Sequence, residues 1–125
     1  MNSYLSEFFT MKLLFTLFLS FLFTFSFAQS EELARNYFDQ GEYKKAEAIY
    51  AKLHKKSPAH QNWLLGYTET LQALDKPDDA KIVLESYLAD VGKYPNIQVE
   101  LGYLFQKQKD TLKANTYYQK AIAQV

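Results

Sequence analysis

Ala46, Ala80 and Ala114 recur at one constant interval, and that period constrains the chain more than any other feature. Around each alanine the same kinds of residue recur in register. Four positions on come Tyr50, Leu84 and Tyr118, and seven on come Leu53, Tyr87 and Ala121. Nine positions before come Tyr37, Leu71 and Phe105, and twelve before come the smaller Ala34, Thr68 and Gly102. Thirteen before come Leu33, Tyr67 and Leu101. Large and small side chains at matched offsets in three copies mark a structural repeat, in which each unit buries its apolar face only by stacking on its neighbours.

Inside each copy the apolar residues fall on helical stripes. Leu33, Ala34, Tyr37 and Phe38 share one face of a helix, and Tyr43, Ala46, Ile49, Tyr50 and Leu53 share one face of the next. Gln40-Gly41-Glu42 separates the two, with Gly41 suited to the left-handed backbone that ends a helix. Lys55 and Lys56 put cations at the negative end of the second helix, and Pro58 follows as its stop. In the second copy the break falls at Asp75-Lys76-Pro77-Asp78-Asp79. There Asp75 is expected to cap, Pro77 fits a first turn, and Asp78 and Asp79 favour the positive end of a helix. Lys109-Asp110-Thr111 breaks the third copy, and Gly92 with Pro95 separates copies two and three. The expected class is all-α, built of antiparallel helix pairs.

Two helices per period, with a small residue at each close crossing, resemble the tetratricopeptide repeat (TPR) family. The stretches QGEYKKAEAIYAKLHKKSP (40–58), KPDDAKIVLESYL (76–88) and LGYLFQKQKDTLKANTYYQKAI (101–122) carry the resemblance. It implies an α-solenoid of three helix-turn-helix repeats wound into a right-handed superhelix, a domain over 29–125 with repeats at about 30–59, 61–93 and 95–125. Its packing signature falls on Ala34, Tyr37, Gly41, Tyr43, Ala46, Tyr50, Pro58, Leu71, Ala80, Leu84, Gly102, Phe105, Ala114, Tyr118 and Ala121. Departures stand at the opening of each first helix, where Ser30, Leu64 and Gln98 replace a large aromatic and Trp63 lies one position away. Leu53 and Tyr87 replace a small residue, which implies looser or shifted packing there.

The resemblance also implies a concave groove lined by the first helix of each repeat. The groove positions correspond to Glu31, Arg35, Phe38 and Asp39 in copy one, and to Asn62, Leu65, Glu69 and Gln72 in copy two. In copy three they correspond to Asn96, Val99, Tyr103, Gln106 and Lys107. Polar residues with a few apolar anchors suit an extended peptide or a helix. TPR grooves that clamp chaperone carboxylates use Lys, Asn, Asn, Lys and Arg, whereas the matching positions here are Glu31, Arg35, Gly66, Asn96 and Glu100. Two acids and a glycine exclude that clamp.

Ahead of the repeats lies a different kind of segment. Leu13 to Ala28, LLFTLFLSFLFTFSFA, has no charge; Lys12 precedes it and the polar run Gln29-Ser30-Glu31-Glu32 follows. A positive start, an apolar middle and the small-x-small end Ser26-x-Ala28 are the parts of a secretory signal peptide over residues 1–28, with cleavage before Gln29. Met11-Lys12-Leu13 is a more typical opening than Met1 to Thr10, where Glu7 opposes a positive start, so translation is expected to begin at Met11. The rival reading is an uncleaved N-terminal anchor. Eight of the ten Phe lie between Phe8 and Phe27 and nine of the ten Tyr from Tyr37 on, so the aromatics divide at the same boundary.

Fourteen basic and fourteen acidic residues cancel, and 13 of each remain beyond residue 28. That balance argues against a nucleic-acid partner, which demands a basic excess. The absence of cysteine removes disulfides, thiolate nucleophiles and Cys-ligated zinc. His54 and His60, the two imidazoles, lack metal-ligand spacing and a third partner. Asp78 and Asp79 are explained by the helix dipole, and Lys52, Lys55 and Lys56 by a solvated face. No nucleophile–base pair or phosphate loop is visible, so neither catalysis nor a cofactor is expected. At the end of the third copy Tyr117, Ala121 and Ile122 are expected to be exposed, a face for self-association, for a partner or for further repeats. The resulting expectation is an exported, periplasmic or secreted, non-catalytic scaffold that binds a protein or peptide.

Overall fold

The computed structural model describes residues 2–125, with the side chains of 22–29 and Val91 outside the description. Among the described residues six helices follow one another: α1 (Asn2–Asp39), α2 (Tyr43–Lys56), α3 (Gln61–Ala73), α4 (Pro77–Val91), α5 (Pro95–Lys107) and α6 (Thr111–Ile122). No strand occurs among the described residues. α1 pairs with α2, α3 with α4 and α5 with α6, and each pair stacks on the next, which makes an all-α helical-repeat solenoid.

The repeat columns show why. Ala46, Ala80 and Ala114 are fully buried, as are Ala34 and Thr68 in the other small column, so helix backbones approach closely at each crossing. Leu64, Leu71, Leu84, Ile97, Leu101 and Leu104 fill the space between repeats two and three. Tyr50, Leu53 and Trp63 do the same between repeats one and two. Burial at this density is the main source of stability for helices only 12–15 residues long, which are marginal alone. Leu53 and Tyr87 are accommodated, both buried, with Tyr87 packed against Tyr94 at 5.4 Å.

Each helix pair turns by one device. Gly41, Asp75 and Lys109 all take positive φ, and they too stand one repeat period apart. The amides of Glu42, Lys76 and Asp110 donate to the carbonyls of Tyr37, Leu71 and Phe105 at 2.8–2.9 Å. The amides of Gly41, Asp75 and Lys109 donate to Phe38, Gln72 and Gln106 at 2.9–3.0 Å, which completes a Schellman motif in every repeat. The structure therefore corrects the expectation for Asp75: it ends α3 in left-handed backbone, and the N-cap of α4 is Lys76. Pro77 does open α4, with Asp78 and Asp79 in its first turn, and Pro95 opens α5 after Gly92 closes α4.

Two expectations about the ends change. Leu33 is 47% exposed although Leu101 in the same column is fully buried, because Leu33 has no preceding repeat to meet. At the other end, Tyr117 stacks on Phe105 at 5.5 Å and Ala121 is buried, so only Ile122 of the three residues expected to be exposed is so. Leu112 joins it on the open surface of α6.

α1 runs without a break from the apolar N-terminal segment into the first repeat. Asn2–Phe21 is long and apolar enough to cross a membrane by length and composition, and none of it is buried against the repeats. Ser26, Ala28 and Gln29, the expected cleavage point, belong to the residues whose side chains lie outside the description.

Candidate functional site: the concave face of α1, α3 and α5

The repeat period places Arg35, Glu69 and Tyr103 at one position on successive first helices. Arg35 Nη1 donates to Glu69 Oε2 at 2.9 Å, linking α1 to α3 along that column. Glu31, one turn earlier on α1, accepts from Trp63 Nε1 at 2.7 Å. Gln72 Nε2 donates to Glu100 at 3.0 Å and links α3 to α5. Polar side chains of the face thus tie neighbouring repeats to one another. The exposed Arg35–Glu69 pair contributes only about 0.5 kcal/mol.

Between α1 and α3 the face opens into a cleft of about 550 Å³. Glu31, Arg35, Asn62, Leu65 and Glu69, five of the residues expected in the groove, line it together. The remaining ones divide. Tyr103 and Val99 are about half exposed on α5, and Asn96, Gln106 and Lys107 lie exposed on the same helix. Lys107 sits over the Tyr103 ring at 5.6 Å, and Gln106 accepts the Tyr118 hydroxyl at 2.7 Å. Asp39 is exposed at the last residue of α1. Phe38 is half-buried rather than free, with its ring 5.2 Å from Tyr43 and the Arg35 guanidinium 5.6 Å from its centre, so it packs as much as it presents.

The sequence reading did not place Glu32, Asn36 and Tyr50 in the groove, and all three line the cleft, together with Gly66, which it named only as a position of the carboxylate clamp. Tyr50 is 3% exposed, and its phenol end lies where a side chain on Gly66 would be: a Cβ there would meet the ring at 2.5 Å. Glycine costs about 1 kcal/mol in a helix interior, so Gly66 in mid-α3 was the available sign of a close approach. Burial pushes the Tyr50 phenol pKa up, with Arg35 opposing and Glu31, Glu69 and Asp39 adding to the rise. The hydrogen bond to Glu69 holds Arg35 firmly in its charged form.

Elsewhere, both imidazoles have packing partners. His60 stacks on Trp63 at 4.0 Å, and His54 packs on Tyr67 at 5.7 Å with its pKa pushed down by burial. Among the described residues, no three His, Cys, Asp or Glu side chains cluster as a metal would require. Lys81 lies over the Phe105 ring at 4.7 Å and bridges to Asp78 at 2.8 Å, a tie between α4 and α5.

No curated protein matches the chain. Solved structures do. The type III secretion translocator chaperone SycD of Yersinia enterocolitica superposes with a TM-score of 0.69 at 19% identity, over 76% of this chain and 71% of that one. SycD in complex with a peptide of the translocator YopD gives 0.69 at 18%, over 78% and 75%. PcrH in complex with the chaperone binding region of PopB gives 0.68 at 17%, over 78% and 79%. At these identities the likeness is one of fold. The sequence profile of the tetratricopeptide repeat matches residues 37–99, and a second profile of the same description matches 98–125. With the repeat frame, the buried alanine columns and both profiles in agreement, the chain belongs to the tetratricopeptide repeat family.

Proposed function

We propose that this protein is an exported, non-catalytic interaction module that holds a segment of another protein on the concave face of α1, α3 and α5. The observation that carries the proposal is the cleft between α1 and α3, where polar groups and Leu65 converge beside a half-exposed apolar strip on α5. Such a surface offers hydrogen bonds to a peptide backbone and shallow pockets for its side chains. The structures of SycD and PcrH with translocator segments support the reading, since solenoids of like fold there hold peptides. Export rests on the uncharged run after Lys12. Asn2–Phe21 contributes nothing to the core of the repeats, so their packing does not depend on it.

Intact mass of the protein recovered from envelope and cytoplasmic fractions tests export. A species beginning at Gln29 outside the cytoplasm agrees with it, and a cytoplasmic species that keeps the apolar segment contradicts it. A second reading, retention of α1 as a membrane anchor, is favoured by the unbroken helix from Asn2 to Asp39. The same measurement then finds a membrane-bound species that begins at Met1 or Met11. For binding, Leu65→Ala and Tyr103→Ala are expected to weaken partner capture about tenfold each while leaving the helical content unchanged.

A further inference from the structure

The cleft between α1 and α3 carries a charge that the rest of the protein lacks. Glu31, Glu32 and Glu69 face one cation, Arg35, so its formal charge is minus two in a chain whose net charge is zero. Two of those carboxylates each retain free acceptor capacity after one intramolecular bond, since a carboxylate offers about four lone-pair sites. At the floor lies a second and independent feature. Tyr50 is only 3% exposed, its phenol end rests over Gly66 at the cleft wall, and its hydroxyl makes no hydrogen bond among the described residues. That hydroxyl opens into the cleft, where its oxygen can accept a hydrogen bond from whatever enters.

We infer that this cleft receives a cationic side chain, lysine or arginine, of the bound segment. This deepens the proposed function and rests on it. The ammonium or guanidinium donates to the Tyr50 hydroxyl oxygen and to Glu31 and Glu69, while Glu32 on the rim adds attraction. The amides of Asn36 and Asn62 stand on opposite sides of the cleft, on α1 and α3, where they can bond to the segment's main chain. An anionic residue is repelled, in keeping with the acids that occupy the carboxylate-clamp positions. On α5 the half-exposed Val99 and Tyr103 then take an apolar residue of the same segment, so charge is read at one end of the face and apolar surface at the other.

The test uses the full-length chain in nonionic detergent micelles, titrated with short capped peptides of Ala, Gly and Leu that differ at one central residue, Lys, norleucine or Glu. Amide shifts of Asn62 and Gly66 report occupancy of the cleft. The Lys peptide is expected to bind about tenfold more tightly than the norleucine peptide, the Glu peptide more weakly than either, and the advantage to shrink with added salt. Tyr50→Phe, nearly isosteric, and Glu32→Lys, at an exposed position, are each expected to reduce the Lys preference, and Glu32→Lys to favour the Glu peptide. Equal affinity of the Lys and norleucine peptides, with the same amides shifting, overturns the cationic cleft and leaves the groove reading standing. Absence of any shift at Asn62 and Gly66 with all three peptides overturns both.

Discussion

Gly41, Asp75 and Lys109 occupy one position of the repeat and take one backbone conformation, with φ of 76°, 59° and 64°. Only the first can do so without steric cost, because Cβ crowds the carbonyl in left-handed backbone. Lys109→Gly is therefore expected to stabilise the protein by about 1 kcal/mol, and Asp75→Gly by less, since a short polar side chain tolerates the conformation. Gly41→Ala is expected to destabilise by about 1 kcal/mol. Denaturant unfolding of the three variants measures all of this, and destabilisation by glycine at Lys109 would contradict a shared turn geometry. Gly66 tests packing instead of conformation. A methyl group there meets the Tyr50 ring at 2.5 Å. Gly66→Ala should cost about 1–2 kcal/mol after its gain in helix propensity, and the cost should largely vanish in a Tyr50→Leu background. These positions also show the limit of the sequence. Gly41 announces its turn, whereas nothing in Asp75 or Lys109 does; only the phase of the repeat links them. Tyr50 and Tyr118 share a column, yet Tyr50 lies over Gly66 of the next repeat and Tyr118 over Gly102 of its own. Each ring lies over a glycine, where the missing side chain leaves it room.

At the scale of helices, the stripes were legible because their periodicity is local, and helix ends followed from Pro77, Pro95 and Gly92. The ties between helices were not, since each depends on side chains far apart in the sequence meeting in space. Tyr117 is the clearest case. Its ring stacks on Phe105 of α5 and its hydroxyl donates to Glu85 of α4 at 2.9 Å, so it closes the last repeat onto the one before. Burial first, then the bond to Glu85, pushes its pKa up to about 12. A phenol whose folded pKa is raised contributes stability that is fully present below its ordinary value of 10 and lost as pH rises towards 12. Alkaline unfolding is accordingly expected to begin between those values. Tyr117→Phe should flatten that part of the stability profile, and Glu85→Gln should lower the pH at which the phenolate absorbance appears. A profile unchanged by Tyr117→Phe would show that other groups govern alkaline stability.

For the whole molecule, the chain divides by physical character and not by a break in structure. α1 is one helix, but its apolar part buries nothing in the repeats, while its last turns supply Ala34 and Tyr37 to the core and Glu31 and Arg35 to the cleft. Neutral net charge describes the whole and conceals the acidic cleft, just as the aromatic average conceals two populations. The repeat frame named groove positions, but not which of them converge: five line one cleft and others spread along α5. The central claim is that the concave face is the binding face. Its most direct test is site-specific photocrosslinking in intact cells, with the probe placed in turn at Asn62 and Tyr103 on the concave helices and at Ile82 and Leu112 on the exposed surfaces of α4 and α6. The account predicts one crosslinked partner shared by Asn62 and Tyr103, absent from Ile82 and Leu112, and lost when Leu65 is changed to Ala. Crosslinks confined to Ile82 or Leu112 would contradict it.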